Sequence, residues 1–547
     1  MATKWKLIVP GIIAGAVAIG GIAAYFYLKV IPAREGTSPV ASAKIVPDEA
    51  WMAGYVDITS DSWDKLRNFG TPEAQDIVFG GVDTMTADIK KQLAEDKLDY
   101  DKDIKPWLGS VMFAAVPASD EASVPGFLMV IGIKDKVEAL NFANKIKDKE
   151  DLNVKETDHK GVKILEVETS GSPSFVAILD NHLAMSDNPE VVKKAIDSSK
   201  GDPSLATDGD ARKILEESMK LDNPVAQIFI PNYGKLIEQT AAFNPGNPLP
   251  PQLKDQLNQI KSVSVGMGID NEGVRLRAVT KVNPDSFKWE FKPVPGKIIS
   301  QFPANTLLSA NGGSLSSQWN YAIEQLESLP EFKEGLDEVR QQIRQNTQLD
   351  LDKDIIGWMD KEVGLALIPG NQGLLQSVGF GGTLVFKTSD RAKAEATLAK
   401  LDDLAKQSNV PVNKSKIGNV DVTQWQFPPT KETLAGHGWI DNETVFFAIG
   451  DPIIKVMASK PDKTLDQSET FKSVTRTLPK SNSGYFFVNM DEANKVILSN
   501  PAITSQGIIT PQVEAVLKSI RGIGIASTQM DKSTYTGDVL LALKPKS

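Results

Sequence analysis

The sequence predicts an α+β protein, an N-terminal transmembrane helix followed by two homologous α+β domains with largely antiparallel sheets. Three observations predict it. A charged motif is written twice, as Leu98-Asp99-Tyr100-Asp101-Lys102-Asp103-Ile104 with Trp107 and as Leu349-Asp350-Leu351-Asp352-Lys353-Asp354-Ile355 with Trp358. An uncharged stretch of 22 residues, Leu7 to Leu28, stands ahead of both copies. Within each copy, apolar runs and helical spacings follow the order strand, strand, helix without regular βα alternation, which favours antiparallel pairing over a doubly wound sheet.

At 1.5 Å per residue the uncharged stretch covers about 33 Å against roughly 30 Å of hydrocarbon, so residues 7–28 are long enough to make the lipid bilayer a partner. Trp5, Tyr25 and Tyr27 stand where interfacial aromatics belong. Ala41-Ser42-Ala43 fits a cleavage site, but the apolar stretch is longer than a signal region and ends well before it, so an uncleaved anchor over residues 1–34 is expected. The bias of Lys4 and Lys6 against Lys29 and Arg34 slightly favours a cytoplasmic N-terminus. Gly11 and Gly15, with Ala16, Gly20 and Ala24, would allow two such helices to approach closely as a homodimer.

Residues 35–47 read as a linker. The first repeat domain is expected over 48–283, a Pro-rich inter-domain linker over 284–298, and the second repeat domain over 299–547. Besides the charged motif, Ser60-Asp61-Ser62-Trp63 recurs as Ser316-Ser317-Gln318-Trp319, Asp180-Asn181 as Asp441-Asn442, Asn188-Pro189 as Asp451-Pro452, and Pro251-Gln252 as Pro511-Gln512. Val82, Met85, Ile89 and Leu93 predict a helix leading into the first motif, as Leu336, Val339 and Ile343 do for the second. The apolar runs 111–116 and 363–368 predict buried strands after the motifs. Asp180-Asn181 and Asp441-Asn442 predict hairpin tips, and Asn188 and Asp451 predict N-caps followed by Pro at the first helical position. From Pro251 to Val265 and from Pro511 to Ile525 a helix is expected to run into a strand.

Net charge is −10, and because the first 34 residues hold four basic and no acidic side chains, residues 35–547 carry −14. With no basic run of five or more, nucleic acid is not an expected partner. The absence of cysteine removes disulfides, thiolate metal sites and cysteine nucleophiles. No GxxxxGK[ST] or GxSxG occurs, and Gly379-Phe380-Gly381-Gly382 leads into a strand instead of the helix N-terminus a phosphate site needs.

The remaining candidates for chemistry are acidic. Asp99, Asp101 and Asp103, and again Asp350, Asp352 and Asp354, have the alternate spacing of the first calcium-loop ligands, which makes them weak metal candidates. An EF-hand wants Gly at position 6 and Glu at 12, where this chain has Ile104 and Ser110, or Ile355 and Lys361. The structural alternative has Asp103 and Asp354 capping short helices that carry Trp107 and Trp358 into the core. Trp63 and Trp319 are likewise expected in the core. His159, His182 and His437 each stand alone in the sequence, and His182, aligned with Glu443, reads as a surface hairpin residue. No catalytic or cofactor-binding residue, and no cofactor, emerges.

The single anchor, the absence of cysteine and the repeated D-x-D-K-D-I-x-x-W followed by a buried strand resemble the cyanobacterial domain-of-unknown-function family 3352, over nearly the whole chain. The resemblance implies no established activity, a cyanobacterial source, and a periplasmic or thylakoid-lumenal location if the N-terminus is cytoplasmic. The expected function is a non-enzymatic, membrane-anchored binding or assembly module of the cell envelope or thylakoid with an unidentified protein partner. The alternative is a carboxylate-based metal-dependent binder or hydrolase.

Overall fold

A computed structural model describes residues 38–546 apart from 96, 118–124, 148–153, 170–171, 243–256, 288, 290, 328–329, 501–503 and 506–508. The expected span 7–28, with Gly11 and Gly15, lies outside the described residues; among those described, no helix is long and apolar enough to cross a membrane.

Ten strands come from the first copy of the repeat: β1 (Met52–Val56), β2 (Leu108–Val116), β3 (Gly126–Ile133), β4 (Val154–His159), β5 (Val162–Thr169), β6 (Ser172–Leu179), β7 (His182–Ser186), β8 (Pro224–Ile230), β9 (Ile260–Asp270) and β10 (Gly273–Val282). Ten come from the second: β11 (Leu308–Gly312), β12 (Val363–Pro369), β13 (Phe380–Lys387), β14 (Val412–Ile417), β15 (Val420–Gln426), β16 (Thr433–Trp439), β17 (Thr444–Ile449), β18 (Tyr485–Asn489), β19 (Ile520–Asp531) and β20 (Thr534–Leu543). The pairing order within the first half is β4-β5-β6-β7-β3-β2-β1-β8-β9-β10, and the second half repeats it as β14-β15-β16-β17-β13-β12-β11-β18-β19-β20. All these pairs are antiparallel, as the strand order in the sequence predicts.

The two halves are not separate sheets. β10 pairs with β20 over nine positions, from Gly273 opposite Ala542 to Lys281 opposite Thr534, so one sheet of twenty strands runs through the molecule. Arg277 stands opposite Gly266 in its own hairpin as Asp538 stands opposite Ala526, which makes the two structural equivalents; they also face each other across the seam. A pseudo-two-fold axis therefore passes between Arg277 and Asp538. Asp538 is fully buried, and its Oδ1 accepts from Arg275 Nη2 at 2.9 Å and from Arg277 Nε at 3.0 Å. Reciprocal ties flank the seam. Lys213, on the helix Gly209–Ser218, pairs with Asp531 at the tip of β19–β20, and Arg476 pairs with Glu272 at the tip of β9–β10.

One face of the sheet is covered along both halves. Helices Pro189–Ser199 and Gly209–Ser218 bring Val192, Ile196, Ile214 and Leu215 onto Ala53, Met112, Val130 and Phe229. Helices Asp451–Ala458 and Glu469–Thr475 bring Ile453, Ile454, Phe471 and Val474 onto Ala366, Val385, Phe446 and Phe487. The approach is close enough to dictate glycine: a Cβ on Gly266 would lie 2.0 Å from the Ser218 carbonyl oxygen. Residues 38–47, read as linker, carry a helix, Pro39–Ala43 capped by Ser38, and bury Ala43, Ile45 and Val46 in this layer. On the other face, helices Lys136–Lys147 in one half and Arg391–Gln407 in the other cover the outer ends, while helix Pro72–Glu95 starts beside the seam, where the Thr71 amide donates to Ser519 Oγ, and reaches the outer core with Leu93.

Local expectations fare unevenly. Asn188 caps its helix through Glu190 N–H with Pro189 following, as expected. In the second half Gly450, at φ 85°, takes the cap position and Asp451 is already helical, because the preceding strand runs directly into the helix. His182 is 3% exposed and is not a surface residue. Its partner in the second half is Thr444 and not Glu443: Leu183 opposes Ile131 as Val445 opposes Phe386, and the second turn is one residue longer.

Truncating Asp538 to Ala leaves Arg275 and Arg277 without their shared carboxylate inside the seam, and the expected loss is about 3–5 kcal/mol of unfolding free energy by urea titration. Replacing all three by Leu or Met is expected to restore stability to within about 1 kcal/mol of the parent, since a well-packed apolar seam needs no ion pair.

Candidate functional site: acidic turns, histidines and an open apolar face

The two acidic motifs fold as matching π-helical turns, Tyr100–Ile104 and Leu351–Ile356. The N-cap is Asp99 or Asp350, not Asp103 or Asp354 as the spacing suggested. Asp99 accepts from the amides of Asp101 and Lys102 at 2.9 and 3.1 Å, and Asp350 from Asp352 and Lys353 at 3.1 and 3.0 Å. Asp103 and Asp354 close the turn from the other side, accepting the amides of Asp99 and Asp350 at 2.8 and 2.9 Å. Asp101 holds Lys90 at 2.8 Å, and Asp352 accepts from Trp319 Nε1 at 2.6 Å and Arg340 Nε at 2.8 Å. The Lys353 amide, with Arg344 behind it, holds the Asp350 carboxyl below the usual carboxylate range.

The six carboxylates therefore take part in closing or anchoring a turn. Calcium requires six to eight oxygens converging on one point, and among the described residues no group of three or more His, Asp or Glu side chains is gathered to hold a metal ion. The turns deliver Trp107, fully buried and 5.5 Å from the Phe142 ring, and Trp358, 4% exposed against Phe386. Trp63 and Trp319 are only half-buried, each tied through its indole N–H, to the Asp57 carbonyl and to Asp352.

None of the three histidines stands alone in space. His159 meets Asp197 at 2.7 Å, and His182 Nε2 lies 3.3 Å from Ser42 Oγ with burial pushing its pKa down to about 4. His437 Nε2 lies 3.0 Å from Asp402 Oδ1, which also accepts from Trp425 Nε1 at 2.8 Å. His437 and Asp402, each 7% exposed, line a cleft of about 640 Å³ between the helix Arg391–Gln407 and strands β14–β16. Nothing in the local pattern signals this pair, because 35 residues separate its members.

The largest feature is the open face at the centre of the sheet. Two rows of directly paired residues cross it. One runs Met129, Phe113, Gly54, Ile228, Val265, Ala278, Gly537. The other runs Leu384, Leu365, Ala310, Phe486, Ile525, Val539, Leu276, Met267. Neither row contains a polar side chain. Met52, Phe127, Ile228, Leu276, Leu365, Leu384, Phe486 and Ile525 on this face are 36–49% exposed. Together they leave on the order of 600 Å² of apolar surface open, the upper end of what an ordinary monomer shows, and patches of that size mark interaction sites. Sequence pattern did not find it, since the runs 111–116 and 363–368, which carry Phe113 and Leu365, read as buried strands.

A family model described as a protein of unknown function, DUF3352, matches residues 11–543 of the chain. No curated protein matches it. Among solved structures, crystal forms III and IV of TP0453 match at 14% identity and a TM-score of 0.26, covering 46% and 44% of this chain and 82% and 79% of that one. Crystal form I of TP0453 matches at 12% identity and 0.24, covering 46% of this chain and 81% of that one.

Two measurements follow from the turns and from His182. Asp350→Ala is expected to cost about 1 kcal/mol through the lost cap, while calcium added to the parent gives no heat and no change in Tm. A heat of binding that disappears in Asp352→Ala would contradict this. His182 is held neutral when folded and titrates near 6.5 when unfolded, so the unfolded chain binds the extra proton. Its contribution is complete above pH about 6.5 and is lost as pH falls toward 4, roughly 3 kcal/mol in all. His182→Thr, the residue its second-half equivalent carries, should flatten the Tm profile across that window.

Proposed function

The chain belongs to the DUF3352 family of proteins of unknown function, and from that premise we propose that it is a single-pass, membrane-anchored, non-enzymatic binding or assembly module of the cell envelope or thylakoid. Residues 7–28 would anchor it with the N-terminus in the cytoplasm, and the repeat domains 48–283 and 299–547 would lie in the periplasm or thylakoid lumen of a cyanobacterium. The single observation that carries the binding role is the open apolar face. Its backbone groups are paired within the sheet, so what it offers a partner is hydrophobic burial with no polar group left to satisfy.

The point of attachment supports a protein partner over the chain's own bilayer. The helix Pro39–Ala43 packs into the covered layer, with Ser42 against His182, so an anchor ahead of it would join the molecule on the side away from the open face. The metal-dependent alternative draws no support from the acidic turns, whose carboxylates are taken up by amides, lysines and arginines.

A photo-crosslinking residue placed at Ile228 or Phe486 in cells should capture a protein of the envelope, whereas one at Lys102, on the acidic turn and 82% exposed, should not. Ile228→Asp and Phe486→Asp should abolish capture while costing about 1 kcal/mol or less, because both side chains are already part-exposed. Equal capture from Lys102, or turnover of a small substrate by the purified protein, would overturn the reading.

A further inference from the structure

We propose that the cleft around His437 is a binding site for a small anion, a phosphate or carboxylate group carried on an apolar body, and that only the second half of the molecule has it. The two halves supply the argument. Thr423 opposes His437 and Lys414 in the sheet, and the register that equates the halves sets His437 against Val176, Thr423 against Leu165 and Trp425 against Val167. In the first half these three are fully buried aliphatic core. The fold accordingly works with no polar atom at these positions, and a buried His–Asp pair replacing them is a net cost to stability unless something else selects it.

What it presents is a row of polar groups. Lys414, Thr423 and His437 lie on successive strands about 5 Å apart on the cleft floor. Asp402 fixes the His437 ring through Nε2, and Nδ1 makes no protein hydrogen bond among the described residues. Lys414 and the neighbouring Lys416 have no ion-pair partner among them. Of the acids at the cleft, Glu395 is held by Arg391 at 2.7 Å and Asp402 by its two ring N–H groups, while Asp421, in register with Lys416 on the neighbouring strand, forms no ion pair among the described residues. The Lys414 ammonium and the Thr423 hydroxyl side by side, with the His437 ring next to them, suit an oxyanion. Leu398, Ala399 and the Trp439 ring give an apolar wall for the rest of the ligand, and a cleft of about 640 Å³ is of ligand size.

The test uses the full chain in detergent, with inorganic phosphate and benzoate as probes, followed by calorimetry and tryptophan fluorescence. Saturable binding of either probe is expected, weakened three- to ten-fold by Lys414→Ala at unchanged Tm. A four-fold variant, His437→Val, Thr423→Leu and Trp425→Val as in the first half together with Asp402→Leu to leave no unpaired carboxylate, should abolish binding with Tm equal or higher. Absence of binding by both probes, unaltered binding in Lys414→Ala, or a lowered Tm in the four-fold variant that Lys414→Ala does not match by losing affinity, would overturn it. Because the open face is untouched by these variants, crosslinking from Ile228 and Phe486 should be unaffected, which separates this site from the docking role.

Discussion

The architecture depends on the antiparallel pairing of β10 with β20. Each half ends in a hairpin whose last strand would otherwise be an exposed edge of about ten residues, a template for pairing with any other chain. Joining the two edges to each other removes both at once, and because the halves are homologous the join falls on a pseudo-two-fold axis. The buried Arg275, Arg277 and Asp538 cluster sits on that axis. It adds register more than strength, since a slip of one residue would turn the arginines onto the apolar face and leave Asp538 alone in the core.

The seam was illegible in the sequence for a physical reason. Gly273–Val282 alternates Val274, Leu276 and Ala278 with Arg275, Arg277 and Lys281, the pattern of a strand with its charged side in water. The charged side is in fact the covered one, under the helix Gly209–Ser218, and the apolar side is open. Only a partner carboxylate more than 260 residues away inverts the meaning of the pattern. Requirements that are local were readable: the duplicated acidic turns, the hairpin tips at Asp180 and Asp441, the Asn188 cap and the buried Trp107 and Trp358 each follow from a few neighbouring residues. Where a loop changed length by one, as between Asn181 and Thr444, alignment by sequence alone placed Glu443 opposite a histidine that the register sets against threonine.

Comparison of the halves separates folding requirements from the rest. Kept in both are the turn-closing aspartates, the tryptophans they orient and the covered-face core. Lost in one is the aliphatic packing around Val176, which becomes His437, Asp402 and Trp425 beside a cleft. The acidic motif, the most conspicuous feature of the sequence, therefore belongs to the shared scaffold, and the polar site that is private to one half had no sequence signature at all.

The open face is itself a consequence of the seam. The helices on that side arise from the long connections between β1 and β2 and between β3 and β4 with their second-half counterparts, and so they cover the outer strands. The hairpins β9–β10 and β19–β20 are tight and contribute no helix. Fusing them sets four strands side by side, about 19 Å of sheet, whose open side is lined by Val265, Ala278, Leu276, Val539 and Ile525. On the covered side, Gly209–Ser218 and Glu469–Thr475 reach these strands from within each half. On the open side Leu276 and Ile525 remain more than a third exposed, and burying them further calls for a surface from outside the described chain. A duplication that protects two strand edges thereby creates one broad apolar platform, and its position follows from topology before any selection for a partner.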